Sequence, residues 1–367
     1  MTATLRPEIR GRFGVVASTH WIGSAVGFAA LERGGNAFDA AVAAGFALQI
    51  VEPHLNGPGG EVPILGLPAG AAAPFVLCGQ GVAPAAATPE RFAALGLDLI
   101  PGTGHLPAVV PGAFDAWMLL LRDHGRLEPR DVLAPAVDLA ERGFPLVHRA
   151  AASIHAIAEH FRAHWPESAR VWLPGGAAPA SGALVRTPGI AETYRRILAE
   201  AEAARGGREA RIEAARRAWR EGFVAEAVDR FLRAPLTDAA GRSDAGLLTG
   251  EDMARRVARY EAPISARFDE TEVFKAGPWS HGAALLQVLG MLADDPLGEM
   301  DPLGPDRVHL IAEAMKLALA DRDAWLADPA FSEVPLGDLL DPGYLAERRA
   351  AIGPAASTEL RPGAPGG

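Results

Sequence analysis

The sequence predicts an α+β fold in which helices dominate, and three observations carry this. Hydrophobic residues make up 49% of the 367-residue chain, and much of that share is alanine, which suits close-packed helices better than a bulky aromatic core. Long stretches, 111–164 and 192–233, place apolar residues at helical spacing, whereas strand-like runs are short. No internal repeat and no linker-like stretch divides the chain, so one body, or one half of an interlocked body, is expected.

Val15–Ser18 reads as a short buried strand and Ser24–Glu32 as a helix. Gly34-Gly35 supplies the stop, since glycine tolerates the left-handed backbone at a helix end. Asn36 is placed to cap a second helix over Ala37–Leu48, with Asp39 in its first turn, where negative charge meets the free amides. That helix is apolar nearly all round and is expected to be central. Pro53 ends it, and Asn56-Gly57-Pro58-Gly59-Gly60 forms a tight loop. Val62–Leu67 and Pro74–Leu77 are strand candidates. The glycine loop is not a dinucleotide fingerprint, because there the strand leads into the glycines and a helix follows them.

Phe114, Trp117 and Leu120 share one helical period, and Gly143 closes the next helix. Glu202–Arg220, rich in Ala, Arg and Glu with opposite charges a turn apart, reads as a solvated helical arm. Thr249-Gly250-Glu251-Asp252 is a helix start. A strand at Val273-Phe274 leads to Pro278–Gly282, and helices are expected over Ala283–Leu292 and Val308–Ala327.

Composition excludes several classes. The formal net charge is -10, and no basic stripe suits a nucleic acid. Cys78 is the only cysteine, so neither an intrachain disulfide nor a cysteine-based cluster can form; it reads as a buried, inert thiol. No segment has the roughly 18 uninterrupted apolar residues of a membrane span. Met1–Gly14 carries Arg6, Glu8, Arg10 and Arg12 and does not read as a secretory signal. The cytoplasm is the simplest compartment, with the periplasm or secretion open if a signal has been removed. His160 and His164 have metal-compatible spacing, but their stretch reads as surface and no metal site is assigned.

Four sequence boxes, in order, resemble the gamma-glutamyltranspeptidase family. The first is Gly34-Gly35-Asn36-Ala37-Phe38-Asp39-Ala40-Ala41-Val42-Ala43, running on to Val51-Glu52-Pro53-His54-Leu55-Asn56-Gly57-Pro58-Gly59-Gly60. Pro135–Ala140 with Glu141-Arg142-Gly143-Phe144 is similar to a second family segment. Leu247–Met253 followed by Tyr260 resembles a third, and Ile311–Ala318 with Asp321-Arg322 and Asp328-Pro329 a fourth. The resemblance implies a four-layer αββα sandwich of the N-terminal-nucleophile hydrolase type. Residues 1–356 would form its large-subunit portion. Residues 357–367, Pro/Gly-rich and aperiodic, would be a flexible tail before a self-cleavage site. It also implies a small catalytic subunit cut from the same precursor, beginning with the nucleophilic threonine, and no cofactor or metal. A dimer of such heterodimers is possible. The substrate would be a small-molecule amide.

In the family an arginine, in an Arg-Glu pair shortly before Ala-Pro, grips the substrate's α-carboxylate. Here Gln80 stands at the arginine position and Gly81 at the glutamate position, before Ala83-Pro84. A glutamine offers one uncharged amide where arginine offers two parallel charged hydrogen bonds. A gamma-glutamyl substrate therefore competes with another amide, such as an acylated amine or a small oxo-acid amide, unless an arginine from elsewhere compensates. Gln80 and Gly81 are the leading substrate-contact candidates. Glu61 and Asn56 at the glycine loop, and Ser280 and His281 before a helix, are further ones. His54 is expected to tie down its loop. Glu61 is expected to form an outward salt bridge or to face the cavity. A non-catalytic scaffold or binding relative is the reading from a different class.

Overall fold

A computed structural model describes residues 8–366. Residues 1–7, which hold part of the Met1–Gly14 reading, and Gly367, the last residue of the expected tail, lie outside the described residues. The chain groups into two compact units: residues up to Val62 together with Gly79–Arg259, and Pro63–Cys78 together with Tyr260–Gly367.

The first unit is built around the helix Ala37–Val51. Asn36 Oδ1 accepts the Phe38 and Asp39 amides, and Asp39 Oδ2 accepts the Asn36 amide at 2.7 Å, which closes a reciprocal cap. Asp39 is fully buried and also accepts the amides of Arg126 and Leu127, so the cap ties down a second loop. Val42, Phe46, Ala47 and Val51 are buried against helices Trp21–Glu32, Ala113–His124 and Pro129–Arg142. Phe46, Phe114, Tyr194 and Trp219 form an aromatic centre, with the Phe114 and Trp219 rings stacked at 4.6 Å. Buried Tyr194 donates its hydroxyl to Gln49 Oε1 at 2.8 Å, which satisfies both polar groups.

Two sequence expectations are corrected in this unit. Val15–Ser18 is not a strand: among the described residues no neighbouring strand takes up its backbone hydrogen bonds. The Glu202–Arg220 stretch is not a solvated arm. Its helix, Arg208–Arg220, buries Ile212, Ala215 and Trp219, and Arg216 is 3% exposed. Arg216 Nε and Nη2 donate to Asp115 Oδ1 and Oδ2 at 2.7 and 3.1 Å. A charged residue can face inward when its partner waits there.

Strands Val62–Gly66, Phe75–Gly79 and Arg259–Glu261 form a three-stranded sheet in that order, and the second unit holds an antiparallel hairpin pairing Ile264–Phe268 with Thr271–Lys275. Its helical core packs helices Gly282–Met291, Pro305–Trp325 and Pro342–Ala350 through Ala284, Met291, Ala314, Leu317, Ala318 and Leu345. Residues 357–366 form no helix or strand, as their composition implies. They are nevertheless held by hydrogen bonds to the Pro305–Trp325 helix: Ser357 N–H to Glu313 Oε1 at 3.2 Å and Gly363 N–H to Asp321 Oδ1 at 2.7 Å.

Candidate functional site

In the first unit the residues around Gln80 run beside the segment 109–112. Val110 N–H donates to Val82 O at 3.0 Å. A Cβ on Gly81 would overlap the Val110 carbonyl, so this close approach requires glycine, whatever further use Gly81 has. Gly60 belongs to the same neighbourhood. Its N–H closes a turn onto Gly57 O, and its carbonyl accepts the Ala113 amide at 3.0 Å, at the start of helix Ala113–His124. The fold thus gathers the Asn56–Glu61 loop, Gln80-Gly81 and a helix start.

Three residues that sequence reasoning did not single out hold this wall. Arg256 donates from Nε and Nη2 to the Gln80 carbonyl at 3.3 and 3.0 Å. Asp252, in the capping box of helix Gly250–Arg255, accepts the Ala85 amide at 3.0 Å and fixes the chain just past Gln80. Burial pushes the Asp252 carboxyl upward, but the hydrogen bonds from Ala85 and Thr249 outweigh it and hold the group below its ordinary value. Asp115, in the first turn of Ala113–His124, accepts the Ala258 amide at 2.7 Å and so anchors the residues after Arg256. Burial pushes the Arg216 guanidinium downward, yet the Asp115 and Glu213 carboxylates more than offset this and keep it raised. The links from Asp252 to Ala85, Arg256 to Gln80, Asp115 to Ala258 and Arg216 to Asp115 span 167, 176, 143 and 101 positions, so no local spacing advertises them.

Gln80, Asp115, Trp219, Arg220 and Arg256 line a void of about 10 Å³, room for one water. The Gln80 side-chain amide has no hydrogen-bond partner among the described residues. Two arginines therefore stand beside it: Arg256 on its carbonyl, and Arg220, whose Nε lies 3.3 Å from Asp115 Oδ1.

The remaining candidates divide between the units. Asn56 is exposed, with its amide on Glu52 O at 3.1 Å. Glu61 is exposed and forms no salt bridge among the described residues, so neither an outward ion pair nor burial restrains it. His54 Nδ1 is buried without a hydrogen-bond partner, so that nitrogen does not fasten the loop. In the second unit Ser280 Oγ donates to Gly277 O at 2.8 Å and accepts the Gly282 amide at 3.0 Å. This is the bonding of a turn residue. His281 is exposed at the start of helix Gly282–Met291, with Nε2 3.5 Å from Arg322 Nη1. Cys78 is buried. Among the described residues no group of three or more His, Cys, Asp or Glu side chains could hold a metal ion, and no helix is long and apolar enough to cross a membrane.

Residues 23–365 match the profile of the gamma-glutamyltranspeptidase family, and the chain belongs to that family. It is 30% identical over 350 residues to the glutathione hydrolase-like YwrD proenzyme of Bacillus subtilis, covering 95% of this chain and 62% of that protein. It is 32% identical to the acylase ACY 1 proenzyme of Pseudomonas sp. strain SE83, covering 93% and 59%. The chain thus spans about three fifths of the curated relatives it matches. Among solved structures, LmbA2991T421A is 53% identical with a TM-score of 0.94 and covers 99% of this chain and 61% of that one. The gamma-glutamyltranspeptidase of Helicobacter pylori is 26% identical with a TM-score of 0.83, and the match covers 97% of both chains. The α+β class read from the sequence is the class of these structures.

Proposed function

We propose that this chain is the large subunit of a self-processing, two-chain amide hydrolase or acyltransferase, in which a threonine opening the partner chain carries the acyl group. The family carries the reading: the relatives this chain matches are named as proenzymes, which fits a precursor that is cut into two chains.

A threonine hydroxyl is a weak nucleophile at neutral pH. As the first residue of a chain it lies beside its own α-amine, whose ordinary pKa of roughly 7.7 to 8.0 leaves a good fraction neutral and able to take the hydroxyl proton. Attack on the amide carbonyl releases the amine and leaves an acyl ester. Water then yields the acid, or an acceptor amine takes the acyl group. This chain contributes the substrate-binding wall: Gln80 and Gly81, with the Asn56–Glu61 loop beside them.

Gln80 also narrows the substrate. Its free amide can hydrogen-bond a neutral acyl group, but it lacks the paired charged donors that a free α-carboxylate rewards. An acylated amine or small oxo-acid amide therefore suits this wall better than a gamma-glutamyl group, and the likeness to an acylase is consistent with that. The gamma-glutamyl reading stays in play through Arg220 and Arg256, which supply positive charge next to Gln80. Catalysis in the cytoplasm and assembly as a dimer of heterodimers complete the proposal.

Expression of the whole reading frame, followed by intact mass measurement and N-terminal sequencing, tests the central claim. Two polypeptides are expected, the second starting with threonine. A single uncut polypeptide that turns over amides would overturn it.

A further inference from the structure

We infer that Asp321 and Glu313 are positioning residues for precursor cleavage: they clamp the segment Ser357–Gly363 along helix Pro305–Trp325 and so fix the direction in which the chain continues toward the scissile bond. This rests on the two-chain reading above.

The two carboxylates lie eight residues apart on that helix, and each is 1% exposed. Glu313 accepts the Ser357 amide at 3.2 Å and Arg361 Nη2 at 2.9 Å, and pairs with Lys316. Lys316 in turn donates to Ser357 O. Asp321 accepts the Gly363 amide at 2.7 Å, Arg348 Nη2 at 3.0 Å, Tyr344 Oη at 2.8 Å and Gln287 Nε2 at 3.1 Å. Trp325 Nε1 donates to the Gly363 carbonyl at 3.1 Å.

Two features make this a built strap. Buried carboxylates are tolerated only when donors fill their lone pairs. Three of the donors here, the Ser357 amide, the Arg361 guanidinium and the Gly363 amide, belong to the strap itself. Without it, Glu313 would keep only Lys316, and Asp321 would lose the Gly363 amide while keeping Arg348, Tyr344 and Gln287. The second feature is a steric lock. A Cβ at Gly363 would overlap Tyr344 Oη and lie 2.9 Å from Cζ, so the strap passes where only glycine fits.

Cleavage consumes one water and converts one peptide bond into a carboxylate and an α-amine. Such a reaction within a precursor depends on near-attack geometry, and a misplacement of about 1 Å can cost roughly a hundredfold in rate. The clamp touches no reacting atom; it acts by holding the chain that carries the bond.

The test follows cleavage of the full-length precursor on denaturing gels over time, with a melting curve for each variant. Gly363→Ala should slow cleavage by roughly tenfold to a hundredfold while melting close to wild type. Adding Tyr344→Phe removes the overlapping oxygen but also takes one donor from Asp321 and leaves Cζ 2.9 Å from the new Cβ, so it should return only part of the rate, a direction that general destabilisation does not give. Arg361→Ala, at a side chain 26% exposed, should slow cleavage in the same direction. A folded Gly363→Ala or Arg361→Ala precursor that cleaves at the wild-type rate overturns the clamp. Should Gly363→Ala fail to fold, Arg361→Ala decides alone. A wild-type precursor that never cleaves sinks the two-chain reading and the clamp together, whereas normal cleavage in every variant sinks only the clamp.

Discussion

Gln80 presents a neutral amide whose backbone is pinned from behind by Arg256. Its environment is fixed while its side chain has no hydrogen-bond partner among the described residues, an arrangement suited to a group that meets substrate. Replacing Gln80→Arg would restore the charged pair of donors that a free α-carboxylate requires. A charged hydrogen bond contributes about 1.5 to 3 kcal/mol, so kcat/KM toward a gamma-glutamyl anilide should rise about tenfold or more. Steady-state kinetics of the processed enzyme check this. An unchanged low rate would mean that the wall has diverged beyond one side chain. The sequence points to this position because Ala83-Pro84 follows it at the family's spacing. It does not point to Arg256, which lies 176 residues away and makes its contact to a backbone carbonyl.

At the scale of elements, the helix Arg208–Arg220 shows where pattern reading fails. Its charges recur a turn apart, as on a solvated helix. The same spacing also places Ile212, Ala215, Arg216 and Trp219 toward the core. Only Asp115, 101 positions earlier, explains why Arg216 can join them. Removing Asp115 strands a buried guanidinium, so Asp115→Ala should cost about 3 to 5 kcal/mol by denaturant unfolding. The paired change Asp115→Leu with Arg216→Leu should recover much of that loss, because neither charge is then left alone. By contrast, the caps at Asn36 and Thr249 were legible, since a cap is decided within three residues. Asn36→Ala should cost about 1 kcal/mol by the same measurement. Val15–Ser18 was misread for the opposite reason: a strand is a property of a pair, and its composition names no neighbour.

For the molecule as a whole, the carboxyls and imidazoles that the fold perturbs in the acid range pull in one direction. Arg211 holds the Glu128 carboxyl low, Arg349 does so for Asp295, and Lys316 for Glu313. Their folded values lie below the ordinary 4.5 for glutamate and 3.8 for aspartate, so their stabilisation is complete above those values and is lost as pH falls through the folded ones. His20 and His105 are buried, and desolvation lowers both from 6.5. Below pH 6.5 the unfolded chain binds protons that these two folded imidazoles refuse, so stability again falls with pH. The melting temperature should therefore hold level just above neutrality, decline gently below pH 6.5, and drop steeply below 4.5. His105 sharpens the test, because its Nδ1 bonds Ala234 O at 3.1 Å while Nε2 has no hydrogen-bond partner among the described residues. Replacing His105→Gln removes one of the two titrations and should make the gentle limb shallower while leaving the steep one in place. A series of melts from neutral to acid pH reads both limbs, and a gentle limb that persists unchanged in the His105→Gln protein would assign it to other groups.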